Sequence, residues 1–142
     1  YRRKASAYTE TLKSLDAEIR AAVAQIPADR RVVITSHDAF GYLAHEYGLT
    51  FLAPAGLSTD AEPSAAHVAV LVKQIQQEKA AAVFLENIAN PRLIEQIAAE
   101  TGVKVGGMLY SDSLSEKDGP APTYIDMIRN NITQIKGAIL GS

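Results

Sequence analysis

The sequence has no cysteine among its 142 residues, and this absence removes several kinds of chemistry. Disulfides, thiolate metal sites and cysteine nucleophiles are all excluded. Histidine is scarce as well, with only His37, His45 and His67 present. A metal site in this chain must therefore be built from histidine, aspartate and glutamate, and that ligand set suits zinc, manganese or iron.

The chain also lacks long apolar runs and an excess of one charge. No stretch approaches the roughly 20 apolar residues of a membrane span. The 14 basic and 16 acidic side chains give a formal charge of −2, so nothing electrostatic indicates nucleic acid as a partner. With 47% hydrophobic and 21% charged residues, the composition is that of a folded domain with a buried core.

The first part of the sequence has the period of one long amphipathic helix. Its apolar residues recur at steps of three and four, at Tyr8, Leu12, Leu15, Ile19, Val23 and Ile26. Pro27 ends the pattern, and no N-cap residue opens it. We expect residues 1–27 to be a helix that enters from another part of a longer protein. The alternative is a frayed first helix of a complete small domain.

Beyond this helix, short apolar runs alternate with amphipathic segments. We predict strands at residues 31–36, 50–53, 81–86 and 103–109. The predicted helices between and after them run from about Asp38 to Tyr47, from Glu62 to Lys79, from an Asn90–Pro91 cap to Gly102, and along Ile125 to Ile139. The prediction is an α/β fold: a four-stranded, mainly parallel sheet flanked by helices over residues 28–142, preceded by a long linker helix.

Three side chains with metal-binding chemistry follow or end predicted strands. His37 follows the first strand, Glu86 ends the third, and Asp112 lies just beyond the fourth. Ligands of open α/β sheets bind beyond the carboxyl ends of the strands. We therefore predict His37 and Asp112 as metal ligands. For Glu86 we expect hydrogen bonding to a ligand, ahead of binding the ion itself or capping the next segment.

The other candidates for chemistry are weaker. His45 lies about 12 Å along the next helix from His37, so it is not expected to reach the same ion, and His67, which precedes Val68 on a helix, is expected at the surface or its boundary. Ser36 and His37 are neighbours on a strand and point to opposite faces, so they do not form a nucleophile and base. No Gly-rich phosphate loop follows a strand. The sequence therefore gives no catalytic set, and we predict that the protein is not an enzyme.

Five motifs occur in order along the whole chain. They are VITSHDAFGYL at 33–43, EPS at 62–64, VFLE at 83–86, YSDSL at 110–114 and TYIDMIRNN at 123–131. Together they resemble the zinc and manganese substrate-binding proteins of bacterial ABC importers. The resemblance implies two α/β lobes joined by one long helix, with a metal ion between the lobes. Residues 1–27 would be the interlobe helix and 28–142 the C-terminal lobe, and the N-terminal lobe is absent from this sequence.

The resemblance also implies a ligand set and a function. The C-terminal lobe supplies two of four metal ligands, which correspond here to His37 and Asp112, and the missing N-terminal lobe supplies the others. The implied function is capture of a divalent ion in the periplasm or at the cell surface, and its delivery to a membrane ABC permease. Zinc is favoured over manganese because His37 stands where some members carry glutamate. The loop after Asp112, with Gly119, Pro120 and Pro122, is expected to move on release.

Several alternatives stay open at this point. The chain would hold half of a coordination sphere, so on its own it is expected to bind metal weakly or to stay metal-free, unless two chains pair. The metal is alternatively manganese or iron. A siderophore- or corrinoid-binding protein of the same architecture would not need His37 and Asp112. A flavodoxin-like regulatory module would begin with a capped strand.

Overall fold

The computed structural model describes residues 1–53, 64–87 and 91–141, without the side chain of His67. The predicted loop beginning at Pro54, the predicted helix start at Glu62 and the Asn90 cap lie outside these residues. The first helix, α1, spans Arg2–Ala24 and buries Leu15, Ile19 and Val23. The side chains before Leu12 are exposed, so only the second half of α1 packs on the domain.

Helix α1 ends three residues before the predicted stop at Pro27. The side chain of Arg31 holds the chain at this point through hydrogen bonds to its carbonyl groups. The Arg31 guanidinium donates to the carbonyl of Ile26 at 2.9 and 3.0 Å and to that of Val23 at 3.2 Å. Ile26 lies just beyond the helix, and the Val23 carbonyl in its last turn also accepts from the Ile26 N–H at 2.9 Å, so Arg31 supplements the few donors available at the helix end. A 3-10 turn at Ala28–Arg30 then leads into the sheet.

Four parallel strands form the sheet, as the alternating pattern predicted. They are β1 (Val32–Ile34), β2 (Thr50–Leu52), β3 (Ala82–Glu86) and β4 (Val105–Leu109), in the order β2-β1-β3-β4. The chain first adds β2 on one side of β1 and then adds β3 and β4 on the other. The order therefore reverses between β1 and β3, and ligands of open α/β sheets bind at such a switch point.

Helices cover both faces of this sheet. The remaining helices are α2 (Gly41–Tyr47), α3 (Ala65–Glu78), α4 (Arg92–Thr101) and α5 (Tyr124–Leu140). Helices α1 and α5 pack with Val33 and Phe84 on one face, and α3 and α4 pack with Ile34 and Val83 on the other. Adjacent strand residues point to opposite faces, so β1, β2 and β3 each contribute side chains to both cores. Among the described helices, none has the length and apolar character needed to cross a membrane.

The paired glycines of β4 have a steric role that the sequence did not reveal. A Cβ at Gly106 would overlap the ring of Phe84, and a Cβ at Gly107 would overlap the side chain of Gln134 on α5. The pairing of β3 with β4 also shifts register between Val83 and Leu85. The two glycines therefore let β4 approach its neighbours closely, which places the loop that follows it.

Two predicted helix starts were wrong by a few residues. Helix α2 begins at Gly41 instead of Asp38, because the backbone N–H groups of Ser36 and His37 are already bound by Glu86 and hold the chain in a tight bend. Helix α4 begins at Arg92, with Pro91 in the N-cap position instead of the first helical position. In the first case a distant tertiary contact overrides the local pattern.

Candidate metal centre

The structure brings the three predicted site residues together at the carboxyl edge of the sheet. His37 lies between two carboxylates, one facing each nitrogen of its ring. Its Nδ1 lies 2.8 Å from Oε1 of Glu86, and its Nε2 lies 3.1 Å from Oδ2 of Asp112. The strand order explains this meeting, since β1 and β3 are adjacent and β4 lies next to β3.

Glu86 is the fixed part of the arrangement. Its side chain is fully buried at the end of β3. Its Oε2 accepts from the backbone N–H of Ser36 at 2.8 Å, from the N–H of His37 at 3.0 Å, and from the Ser36 hydroxyl. A buried carboxylate is costly unless hydrogen bonds compensate it, and three donors do so here. Glu86 thereby joins β3 to the segment that carries His37.

The carboxylates change the acidity of His37. Burial lowers the pKa of the imidazole, but Glu86 and then Asp112 raise it by more, so the net pKa lies above the usual 6.5. The neighbouring negative charges favour the charged imidazolium. In the protein without a metal ion, the imidazole of His37 therefore stays protonated to a higher pH than that of a free histidine.

Asp112 is held differently from Glu86. Its side chain is 63% exposed, and His37 is its contact at this edge. The backbone on either side of it is anchored instead. The buried side chain of Asn131 binds both the N–H and the carbonyl of Tyr110, and the Asn87 amide donates to the Ser113 hydroxyl at 2.6 Å. The end of the loop is closed by Ser115 and Ala121, whose backbone groups bond at 2.8 Å.

Unsatisfied polar atoms collect at the same edge. In the part of the chain that the structure describes, the buried side-chain atoms without a hydrogen bond are His37 Nδ1, Glu86 Oε1, Asn87 Oδ1 and Ser111 Oγ. The first two are close enough for an ion pair but are not aligned as a hydrogen bond. Native proteins leave few buried polar groups unpaired, so these four atoms at one edge require an explanation, such as a bound ion or water.

In the described part of the chain, the geometry brings two potential metal ligands to one place. Nδ1 and Nε2 point away from opposite sides of the imidazole, so Glu86 and Asp112 do not converge on one point. Within residues 1–53, 64–87 and 91–141, no group of three or more His, Asp or Glu side chains could hold a metal ion. His37 Nε2 and the Asp112 carboxylate are the two groups that lie close enough together to contact the same ion.

The remaining candidates lie apart from this pair, and two contributors were missed. His45 lies in the last turn of α2, as predicted, and its side chain is exposed. His67 lies on α3, but its side chain is outside the described residues. Sequence reasoning missed the hydrogen bond of Ser36 and the role of Asn131. Asn131 had a detectable signal, because it lies three residues after Ile128 and beside Ile132, which places a polar residue on the apolar face of the helix.

Comparison with known proteins identifies the class. A family described as the zinc-uptake complex component A, periplasmic (ZnuA), matches residues 1–138. The chain therefore belongs to this family of metal-binding proteins. The resemblance seen in the five motifs is confirmed, and membership favours this class over the siderophore-binding, corrinoid-binding and flavodoxin-like alternatives.

Individual relatives are similar over nearly the whole chain. The iron-binding protein YfeA of Yersinia pestis is 39% identical over 137 residues, which cover 95% of this chain and 43% of that protein. The manganese-binding lipoprotein MntA of Bacillus subtilis is 38% identical, covering 98% of this chain and 47% of its own. The periplasmic or lipoprotein descriptions of family and relatives agree with the predicted location.

Solved structures confirm the fold. The periplasmic zinc-binding protein TroA of Treponema pallidum matches with a TM-score of 0.88 and 34% identity, covering 97% of this chain and 52% of that one. A manganese-bound mutant of the periplasmic metal-binding protein from Candidatus Liberibacter asiaticus matches with a TM-score of 0.88 and 30% identity, over 98% and 52% of the two chains. The chain thus spans about half the length of the relatives it matches.

Proposed function

We propose that this chain is the C-terminal part of a substrate-binding protein of a metal ABC importer. Residues 1–27 would form the helix between two lobes, and residues 28–142 the C-terminal metal-binding lobe. His37 and Asp112 bind the ion, and an N-terminal lobe supplies the further ligands. The loaded protein then delivers the ion to a membrane permease, from the periplasm or from an anchored position at the cell surface. Its task is binding and delivery, without a catalytic step.

One observation carries this proposal, namely the 3.1 Å separation of His37 Nε2 and Asp112 Oδ2. Two ligands about 2.1 Å from a tetrahedral zinc ion are about 3.4 Å apart. The two atoms therefore lie close to the spacing of adjacent ligands of one ion. Binding would replace the contact between them with two bonds to the metal, and the exposed Asp112 carboxylate is free to make the small adjustment.

Glu86 supports this arrangement without binding the ion. Its Oε1 faces the nitrogen of His37 that points away from Asp112. A carboxylate in that position keeps the proton on Nδ1 and leaves the Nε2 lone pair for the metal. The buried contact also fixes the plane of the ring. These two effects raise the basicity and the positional precision of the first ligand.

We favour zinc as the cargo. An imidazole ligand suits zinc better than manganese, which prefers oxygen ligands. The relatives carry the names of zinc-, manganese- and iron-binding proteins, so the family spans all three ions. The two ligands of this chain alone predict weak binding, because a structural or transport site normally needs about four. Other residues must therefore supply the remaining ligands of the ion.

The test is the zinc affinity of the full-length protein with His37→Ala and with Asp112→Ala, measured by competition with a chromophoric chelator. Each change should weaken binding by more than about 10-fold, which is the typical cost of losing even an outer supporting residue. The matched controls are His45→Ala, an exposed histidine on α2, and Asp118→Ala, an exposed aspartate of the same loop. Affinity unchanged in His37→Ala or Asp112→Ala would remove that residue from the site.

A further inference from the structure

Asn131 is a buried polar side chain in an otherwise apolar part of α5. Its side chain is 1% exposed and lies on the buried face of α5, together with Ile132, Ile135 and Ile139. An amide in such a place costs free energy unless its donors and acceptor are satisfied. The partner that satisfies it therefore indicates what the residue does.

Both groups of the amide bind the backbone of one residue, Tyr110. Its Oδ1 accepts from the Tyr110 N–H at 2.9 Å, and its Nδ2 donates to the Tyr110 carbonyl at 2.8 Å. Paired antiparallel strands exchange hydrogen bonds in the same two-fold way. Strand β4 is at the edge of the sheet and ends at Leu109. Asn131 thus takes the place of a neighbouring strand for the first residue beyond β4.

A second amide holds the chain on the far side of Asp112. Asn87, at the end of β3, donates from its side chain to the Ser113 hydroxyl at 2.6 Å. Its backbone N–H also donates to the Leu109 carbonyl at 3.2 Å. The chain is therefore held two residues before Asp112, at the Tyr110 backbone, and one residue after it, mainly at the Ser113 side chain, while the Asp112 carboxylate is mostly in solvent. The hydrogen bonds of Asn131 and Asn87, and not packing of the Asp112 side chain, therefore set the position of this carboxylate.

We propose that Asn131 and Asn87 are positioning residues for the metal ligand Asp112. They hold the loop so that the carboxylate meets His37 Nε2, and they act on the ion only through Asp112. This inference rests on the proposed function of His37 and Asp112 as ligands. It assigns two residues of α5 and β3, neither of which touches the ion, to the affinity of the site.

The experiment is a double-mutant cycle on the full-length protein, with zinc affinity as the readout. Asn131→Ala and Asn87→Ala should each lower the affinity by about 10-fold, within the range for residues that orient a ligand. In an Asp112→Ala background, each should change the affinity by less than about twofold, because the group they position is gone. Asn130→Ala is the control, since its side chain makes only a 3.4 Å contact to the Met108 carbonyl.

The outcomes separate this inference from the proposed function. If Asn131→Ala or Asn87→Ala weakens zinc binding equally with and without Asp112, the effect is general and the positioning role is wrong. Wild-type affinity in a folded variant also overturns it. If Asn131→Ala does not fold, the Asn87 cycle decides, because Asn87 is only half-buried and its bond to the Ser113 hydroxyl is exposed. If Asp112→Ala retains the full zinc affinity, the proposed function is wrong, regardless of the results for Asn131→Ala and Asn87→Ala.

Discussion

The two proposed ligands are held in opposite ways. His37 is largely buried, and its ring contacts a carboxylate that is itself inaccessible to solvent. Asp112 is mostly exposed, and uncharged amides secure the backbone around it. The position of the first ligand therefore depends on a buried charge and on pH. The position of the second depends on neutral hydrogen bonds that do not titrate.

The sheet explains this difference. His37 follows β1, which has neighbours on both sides, so the end of β3 supplies a buried group beside it. Asp112 follows β4, whose outer side has no strand in the described sheet. A chain that leaves an edge strand lacks the hydrogen-bond partners that fix a central one. Asn131 supplies them from α5 instead.

The largest effect that separates the two sides is expected from Glu86→Gln. The change keeps the size of the side chain but removes the charge, and it places an amide N–H₂ among the donors that bind Glu86 now. Zinc affinity should fall by about 10- to 100-fold. Titration of zinc against a chelator measures this loss. Glu116→Gln, an exposed glutamate of the Asp112 loop, is the control and should retain full affinity.

The pH dependence is expected to be the next largest effect. Because the net pKa of His37 is raised, zinc competes with a proton already above pH 6.5. The affinity should fall about tenfold for each pH unit below that pKa. In Glu86→Gln the fall should begin at lower pH, since the main group that raises the pKa is gone. Zinc affinities measured at a series of pH values check both statements.

The metal-free protein should follow the opposite trend. A raised pKa means that protonated His37 stabilises the fold at pH values below the unfolded value of 6.5, and that this contribution is lost as pH rises through the folded pKa. Thermal unfolding without zinc, compared for wild type and His37→Gln, isolates the contribution. A wild-type advantage that grows as the pH rises through this window would contradict the assignment.

Much of this arrangement was predictable from the sequence. Alternating strands and helices predicted the parallel sheet, and the rule for strand ends predicted that His37, Glu86 and Asp112 would share an edge. The start of α2 was not predictable from local pattern, because Ser36 and His37 bond to Glu86, 50 and 49 residues away in the sequence. Strand order also depends on pairings that no single segment specifies.

The anchors of Asp112 were harder to predict. The loop carries Gly119, Pro120 and Pro122 and was expected to be mobile. In the structure Ala121 is fully buried and its backbone bonds to Ser115, so part of the loop is tied down. Asn131 recognises a backbone 21 residues away, and a backbone has no side-chain identity to read from a sequence.

The smallest effects are expected from two serines, one on each side of the comparison. Ser36→Ala removes the buried hydroxyl that donates to Glu86, but the two backbone donors remain. Stability should fall by about 1 kcal/mol, with a loss of zinc affinity smaller than the about 10- to 100-fold expected for Glu86→Gln. Ser113→Ala removes an exposed hydroxyl that accepts from Asn87, so zinc affinity should fall no further than in Asn87→Ala, and stability should change by no more than about 0.5 kcal/mol. Denaturant unfolding of both variants measures the contrast, and equal losses would contradict it.

The central claim is that His37 and Asp112 bind one ion side by side while Glu86 stays outside the coordination sphere. A crystal structure of the full-length protein with zinc, with the ion located by its anomalous scattering, tests this most directly. The account predicts zinc bonded to Nε2 of His37 and to the carboxylate of Asp112, with Glu86 still facing Nδ1. An ion bonded to Glu86 or to Nδ1, or one bound away from Asp112, would contradict it.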